Sequence, residues 1–140
     1  MNQTINANRL FWASCFALIT TAFSFSIRAG ILTQLGTELN LDTVQLGTIS
    51  SMWFLGFPIS MIFFGIFYAK IGPKIIMQVA FLAHSIGILT TIYASSYNVL
   101  LISTLFIGIG NGCTEAACNP MIADSYSGNE FHSKLNKFHM

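Results

Sequence analysis

Four long apolar segments constrain this 140-residue chain more than any other feature of its sequence. They cover approximately residues 10–29, 46–68, 74–94 and 97–123. A bilayer core about 30 Å thick requires roughly 20 helical residues to cross it, and each segment reaches that length. Backbone groups in lipid must be hydrogen-bonded internally, which makes such segments helices. We therefore predict an all-α membrane protein with four transmembrane helices, whose surface meets the lipid bilayer.

The composition agrees with a lipid environment and excludes several classes of function. Only 8% of the residues are charged, against about 25% in soluble domains. A net charge of +1 without a basic cluster lacks the electrostatic footprint of a nucleic-acid-binding protein. The sequence contains no phosphate-binding glycine loop, metal-spaced cluster or nucleophile elbow. We therefore predict no enzymatic activity, no catalytic residue, no cofactor or metal, and no nucleic-acid partner.

The positions of the charges predict the orientation, because basic residues accumulate in cytoplasmic loops. With both termini inside the cell, the basic residues on the cytoplasmic side are Arg9, Lys70, Lys74, Lys134 and Lys137. The acids Glu38 and Asp42 then fall in an outer polar loop over residues 30–45. This N-in, C-in arrangement places residues 1–9 in the cytoplasm, together with a solvated tail, residues 124–140, that leads toward a missing fifth helix. We expect a multi-pass protein of the cell membrane.

Three polar side chains share one face of the fourth segment. Asn111, Glu115 and Asn119 follow one another at intervals of four residues, which aligns them along a helix. An ionisable residue inside a membrane is costly and is a functional candidate by default. Either Glu115 binds a proton while the amides bind a polar substrate, or the three side chains form structural hydrogen bonds between helices.

A stripe of small residues follows the same helical spacing in this segment. It consists of Gly108, Gly112 and Ala116. Small residues at this interval allow two helix backbones to approach closely. We predict that the stripe packs tightly against a neighbouring helix.

Two further ionisable residues lie in other segments. His84 is ten residues into the third segment, near the middle of the bilayer, where it either relays protons and contacts substrate or donates one structural hydrogen bond. Arg28 lies toward the outer end of the first segment, where it either extends to the interface or points inward as a fixed positive charge suited to an anion. Its depth differs from that of Glu115, so we expect no ion pair between them.

The connection between the second and third segments resembles a known loop signature. Its sequence, Gly65-Ile-Phe-Tyr-Ala-Lys-Ile-Gly-Pro-Lys74, is similar to the cytoplasmic loop of the major facilitator superfamily. The residues that match the signature are Gly65, Lys70, Gly72 and Lys74. Ala69 stands where the signature often has an acid, and Pro73 stands at one of its basic positions.

A second stretch resembles the fucose–proton symporter family, whose fourth helix carries a Gly-x-x-Glu-x-x-x-Asn-Pro pattern. The matching residues are Gly112, Glu115, Asn119 and Pro120. The resemblance implies that Glu115 faces a central cavity and takes part in proton and sugar binding. That family has an acid in its first helix near the position of Arg28, so the acid pair is incomplete in this chain.

The superfamily fold has twelve helices in two halves, with substrate bound between the halves. Four segments correspond to a partial major-facilitator fold. The resemblance implies the N-terminal portion of a proton-coupled secondary transporter for a small polar solute, such as a sugar, that is inactive without the remaining helices. The alternative from a different class is a free-standing four-helix membrane protein with an assembly or regulatory role.

Overall fold

The computed structural model describes residues 6–140, and this part of the chain is helical. Its helices are α1 (Ala7–Glu38), α2 (Thr43–Ile66), α3 (Tyr68–Ile71), α4 (Pro73–Ile92), α5 (Tyr97–Ser125) and α6 (Gly128–Phe138). Of these, α1, α2, α4 and α5 are long and apolar enough to cross a membrane. The predicted all-α fold with four spanning helices is confirmed.

The connection between α1 and α2 is much shorter than the predicted loop over residues 30–45. Helix α1 continues past Ala29 to Glu38, and α2 begins at Thr43. Asp42 caps α2: its carboxylate accepts a hydrogen bond from the Gln45 backbone N–H at 2.8 Å, and the Gln45 side chain accepts one from the Asp42 N–H at 3.0 Å. This reciprocal pair is a capping box. The polar residues near position 42 therefore start a helix and do not form a long loop.

Residues 124–140, which we predicted as a solvated tail, contain a helix, α6, although most of their side chains are exposed. Helix α6 is amphipathic, and Phe138, only 4% exposed, packs with Phe11, Cys118 and Ile122. Lys134 Nζ donates a hydrogen bond to Asn8 Oδ1 at 3.2 Å. The two ends of the described chain thus meet at one end of the bundle. We call this the terminal end, and the end that holds the turn at residues 39–42 the opposite end.

Helix α5 is the centre of the bundle and packs against α1, α2 and α4. Fourteen of its residues are buried, against three in α2 and five in α4. The other spanning helices expose large apolar side chains such as Phe16, Phe54 and Phe81, which are 67%, 61% and 70% exposed. Apolar surface of this extent is suited to contact with lipid or with further helices, and not with water.

Glycines bring α5 close to its neighbours on both sides. A Cβ atom added to Gly108 would lie 2.6 Å from the backbone oxygen of Trp53 in α2. One added to Gly112 would overlap the backbone of α2 at Phe57, and Ala116, the third residue of the predicted stripe, is buried. A Cβ added to Gly87 of α4 would lie 2.9 Å from the Ser103 oxygen of α5. The closest helix contacts are therefore backbone to backbone.

The corner between α2 and α4 is built from the single-turn helix α3 and Gly72. Gly72 has φ +82° and ψ 149°, a conformation that is essentially restricted to glycine. Pro73 follows as the first residue of α4, where its missing N–H removes no helical hydrogen bond. The Tyr68 hydroxyl donates to Asp124 Oδ2 at 3.4 Å, which links the corner to α5 at the terminal end.

The other residues that match the loop signature lie around this corner. Gly65 lies in the last turns of α2, Lys70 in α3 and Lys74 in the first turn of α4.

Candidate functional site

A cavity of about 250 Å³ opens between α1, α2 and α5, near the middle of each helix. We call it the Glu115 cavity; it is lined by Leu18, Thr21, Ala22, Phe25, Trp53, Phe57, Asn111 and Glu115. Helix α5 contributes the carboxylate and the amide, whereas α2 contributes two aromatic rings. Glu115 is the only ionisable side chain in this lining. The cavity thus combines one acid and a few polar groups with an apolar wall, as small-molecule sites do.

Asn111 joins the cavity to a buried polar cluster between α1, α4 and α5. Its Oδ1 lies 2.5 Å from His84 Nε2 and 3.4 Å from the Ser24 hydroxyl. The other ring nitrogen of His84, Nδ1, lies 2.9 Å from the Ala80 carbonyl oxygen. In this orientation the amide oxygen accepts a hydrogen bond from an Nε2–H group, whereas rotation of the Asn111 amide by 180° presents its NH₂ group to an Nε2 that carries no proton.

The polar face of α5 continues from Glu115 to the terminal end of the bundle. The Asn119 side-chain amide donates to Glu115 Oε2 at 3.4 Å. His139 Nε2, just after α6, lies 3.0 Å from Asn119 Oδ1. A line of polar groups therefore connects the cavity carboxylate to an exposed histidine. Of the predicted site residues, His84 contacts Asn111 and Asn119 contacts Glu115, and Asn111 and Glu115 both line the cavity.

Trp53 is a residue of the cavity that the sequence analysis did not identify. Trp53 is the eleventh of 24 residues in α2, and its ring stacks on Phe57 with centroids 5.1 Å apart and planes at 8°. Its Nε1 is buried and has no hydrogen-bond partner within residues 6–140. A buried indole usually finds a partner for this N–H. The i, i+4 spacing of Trp53 and Phe57 was the available signal.

Arg28 does not belong to the Glu115 cavity. It lies one turn beyond Ser24 on α1 and lines a separate cavity toward α4. Its side chain is only 5% exposed. This disagrees with the first of the two alternatives for Arg28, in which the side chain extends to the interface. Its guanidinium carbon lies 5.5 Å from the centre of the Phe25 ring. The structure therefore separates Arg28 from the other predicted site residues.

The part of the chain that the structure describes holds no cluster of histidine, cysteine or acidic side chains suited to a metal ion. Its three cysteines, Cys15, Cys113 and Cys118, are free thiols. The side chains that line the Glu115 cavity offer hydrogen-bonding groups, aromatic rings and one carboxylate.

Comparison with known families agrees with the architecture. A family model described as Major Facilitator Superfamily matches residues 14–135, a stretch that includes nearly all of the four spanning helices and the whole lining of the Glu115 cavity. No solved structure matches the chain significantly. Proteins of this superfamily are multi-pass membrane transporters and not enzymes. With most of its length matched, this chain belongs to the major facilitator superfamily.

Proposed function

We infer that this chain is the N-terminal portion of a proton-coupled secondary transporter for a small polar solute, such as a sugar, and that it does not transport alone. The observation that carries this proposal is the Glu115 cavity, where an acid and an amide face an aromatic wall. Ring faces can pack against the C–H groups of a hydroxylated solute, while Glu115, Asn111 and the unused Trp53 N–H exchange hydrogen bonds with its oxygens.

The small volume of the Glu115 cavity supports the proposal that it is one part of a larger solute site. Its volume of about 250 Å³ is below the range of about 300–1,000 Å³ that is typical of small-molecule sites. In a transporter of two halves, a second set of helices would form the opposite wall and enlarge the site. The four helices of this chain supply the wall that carries the acid.

Proton coupling is assigned to Glu115 on physical grounds. An ionised carboxylate within the membrane is costly, and Glu115 is half-buried beside the aromatic wall of the cavity. A proton or the hydroxyl groups of a solute would each reduce that cost. Binding of solute to one charge state of Glu115 links solute affinity to proton occupancy, as a symporter requires. His84 either relays protons or only holds α4 and α5 together through its contact with Asn111.

The membrane orientation is part of the same proposal. Lys70, Lys74 and Lys134 all belong to the terminal end, whereas Glu38 and Asp42 lie at the opposite end. The distribution of basic residues therefore favours a cytoplasmic terminal end, in a protein of the cell membrane.

Fluorescence of the purified chain tests the solute site. The chain has two tryptophans, so Trp12→Phe leaves Trp53 as the only indole. Titration with monosaccharides and polyols should change its emission saturably for at least one solute. Glu115→Gln should remove the pH dependence of that affinity, and Glu130→Gln, on the exposed face of α6, serves as the control. If no solute changes the emission, or if both variants behave like the parent, the proposal is wrong.

The coding DNA beyond the codon for Met140 separates the proposal from the assembly or regulatory alternative. Sequence that encodes further spanning helices, in frame or as a decayed remnant, supports a transporter portion. Unrelated sequence favours a free-standing four-helix protein.

A further inference from the structure

A second cavity lies between α1, α4 and α5, on the side of Ser24 that faces the opposite end of the bundle. We call it the Arg28 cavity. It has a volume of about 240 Å³ and is lined by Ser24, Ile27, Arg28, Ile31, Ile88, Thr91, Ile92 and Ile107. It shares no lining residue with the Glu115 cavity. Its walls are five isoleucines, two hydroxyl groups and one guanidinium.

The guanidinium in this cavity is buried without a counter-charge. Arg28 is 5% exposed, and its Nε and Nη1 are buried with no hydrogen-bond partner within residues 6–140. An arginine cannot lose its charge in a protein, and an unpaired buried ion is strongly destabilising. The contact with the Phe25 ring at 5.5 Å offsets only a fraction of that cost. The site therefore requires an anion.

No acid of this chain can supply the negative charge. Glu38 is ten residues beyond Arg28, about 15 Å along the axis, and it accepts a hydrogen bond from Gln34 at 2.8 Å. Asp42 caps α2.

The other acids lie toward the terminal end. Glu115 is eight residues from Ile107, about 12 Å toward that end, where Asp124 and Glu130 also lie. Residues 1–5 contain no acid. The negative charge must come from outside these 140 residues.

The walls of the cavity indicate what kind of anion fits. The planar guanidinium matches the oxygens of a carboxylate or phosphate. The hydroxyls of Ser24 and Thr91 already donate to backbone carbonyls at 2.8 and 2.9 Å, so Arg28 alone remains to bind the charge. The five isoleucines suit an aliphatic body. Ile92 is the last residue of α4, so the cavity lies at the depth of the adjacent lipid headgroups if α4 spans the bilayer.

We propose that the Arg28 cavity binds a singly charged oxyanion carried on an aliphatic body. Two sources share this chemistry: a free aliphatic carboxylate, and the phosphate of an anionic lipid in the adjacent leaflet. The proposal is independent of the Glu115 cavity.

Nuclear magnetic resonance of the arginine side chains tests the proposal directly. The chain has two arginines, Arg9 and Arg28, so ¹⁵N-arginine labelling gives two Nε–H signals, and Arg9 is an internal control. The 140-residue chain is placed in phosphatidylcholine nanodiscs and titrated with hexanoate. A parallel sample contains phosphatidylglycerol in the nanodiscs instead. Arg28→Lys identifies which signal belongs to which residue.

The expected result is a saturable shift of the Arg28 signal in at least one sample, while the Arg9 signal moves little. A shift with hexanoate identifies a free carboxylate, and a shift only with phosphatidylglycerol identifies the lipid phosphate. Calorimetry should show binding of the effective anion weakened about tenfold or more in Arg28→Gln, because a hydrogen-bonded charge pair is lost. An Arg28 signal that stays unmoved in both samples, or that moves in parallel with Arg9, overturns the proposal.

Discussion

Asn111 is the residue at which the polar groups of three helices meet. Its amide lies 2.5 Å from His84 Nε2 of α4 and 3.4 Å from the Ser24 hydroxyl of α1, and the residue also lines the Glu115 cavity. An amide is suited to this place because it both donates and accepts, and can present either group to the imidazole. One side chain therefore connects the His84 imidazole, the Ser24 hydroxyl and the wall of the Glu115 cavity.

We expect Asn111→Ala to destabilise the protein by about 1–3 kcal/mol, because it leaves the buried His84 ring without its partner. Unfolding in detergent, followed by circular dichroism, measures the loss. The control is Ser51→Ala, which removes an exposed hydroxyl bonded only to the Thr48 carbonyl of its own helix. Equal stabilities of the two variants would show that the His84 contact contributes nothing.

Trp53 offers a second test at the residue scale, because its stacking and its hydrogen-bonding capacity can be separated. Trp53→Phe keeps an aromatic ring beside Phe57 and deletes the unused Nε1 donor. We expect solute affinity, measured by calorimetry, to fall about tenfold, while stability changes by less than about 1 kcal/mol. Trp12→Phe, at a side chain that is 61% exposed, should change neither. Unchanged affinity in Trp53→Phe would remove Trp53 from the solute site.

Helix cores and helix ends differed in how well the sequence predicted them. The apolar centres of α1, α2, α4 and α5 follow directly from hydrophobicity, because lipid demands it over about 20 residues. The end of α1 and the start of α2 depend on the Asp42–Gln45 capping box, which hydrophobicity does not detect. The amphipathic helix α6 was missed because its apolar residues become meaningful only when Phe11 and Ile122 provide a surface for Phe138.

The prediction of the Glu115 cavity was limited in the same way, because it depends on contacts between helices that the sequence does not reveal. Helical spacing aligned Asn111, Glu115 and Asn119 on one face, but it could not show which helices that face meets. The contact of Asn111 with His84 joins residues 27 positions apart, and only the packing of α4 on α5 brings them together. Glycines decide that packing, because a Cβ at Gly110 would overlap the His84 ring.

The close approach of α2 and α5 gives a prediction at the scale of the elements. Gly108→Ala places a methyl group 2.6 Å from the Trp53 backbone oxygen, and backbone cannot move aside as a flexible side chain can. We expect a loss of about 1–3 kcal/mol, measured as a lower midpoint of thermal unfolding. Gly47→Ala in α2 is the matched control, because its Cβ would meet nothing within 4 Å and alanine favours a helix. If Gly108→Ala unfolds at the same temperature as the parent, α2 and α5 are farther apart than this distance of 2.6 Å implies.

Helix α6 gives a second prediction at the scale of the elements, because its one buried side chain, Phe138, packs against residues of α1 and α5. We expect Phe138→Ala to release α6 from α1 and α5, since most of the apolar area that holds the helix is lost. Hydrogen exchange of the backbone amides of residues 128–138 should accelerate at least tenfold, while α5 stays protected. Lys137→Ala, at an exposed position on the same helix, should leave the exchange unchanged. Protection retained in Phe138→Ala would mean that α6 is held by its polar contacts, such as the Lys134–Asn8 hydrogen bond.

The molecule as a whole is asymmetric in two respects that concern function. Its centre is polar on α5, whereas the outer faces of α1, α2 and α4 expose large apolar side chains. Its lysines belong to the terminal end, and two acids lie at the opposite end. The first asymmetry fits helices that contact lipid or further helices around a polar site. The second is the basis of the proposal that the terminal end faces the cytoplasm.

The orientation of the molecule can be tested with single cysteines on a background in which the three native cysteines are replaced by alanine. Thr37→Cys marks the opposite end and Lys137→Cys marks the terminal end, both at exposed positions. Because basic residues are retained on the cytoplasmic side, a membrane-impermeant maleimide should label Thr37→Cys in intact cells. It should label Lys137→Cys only after the cells are permeabilised. The reverse pattern would place both termini outside and would move the Arg28 cavity to the cytoplasmic leaflet, whereas labelling of both positions in intact cells would contradict a spanning bundle.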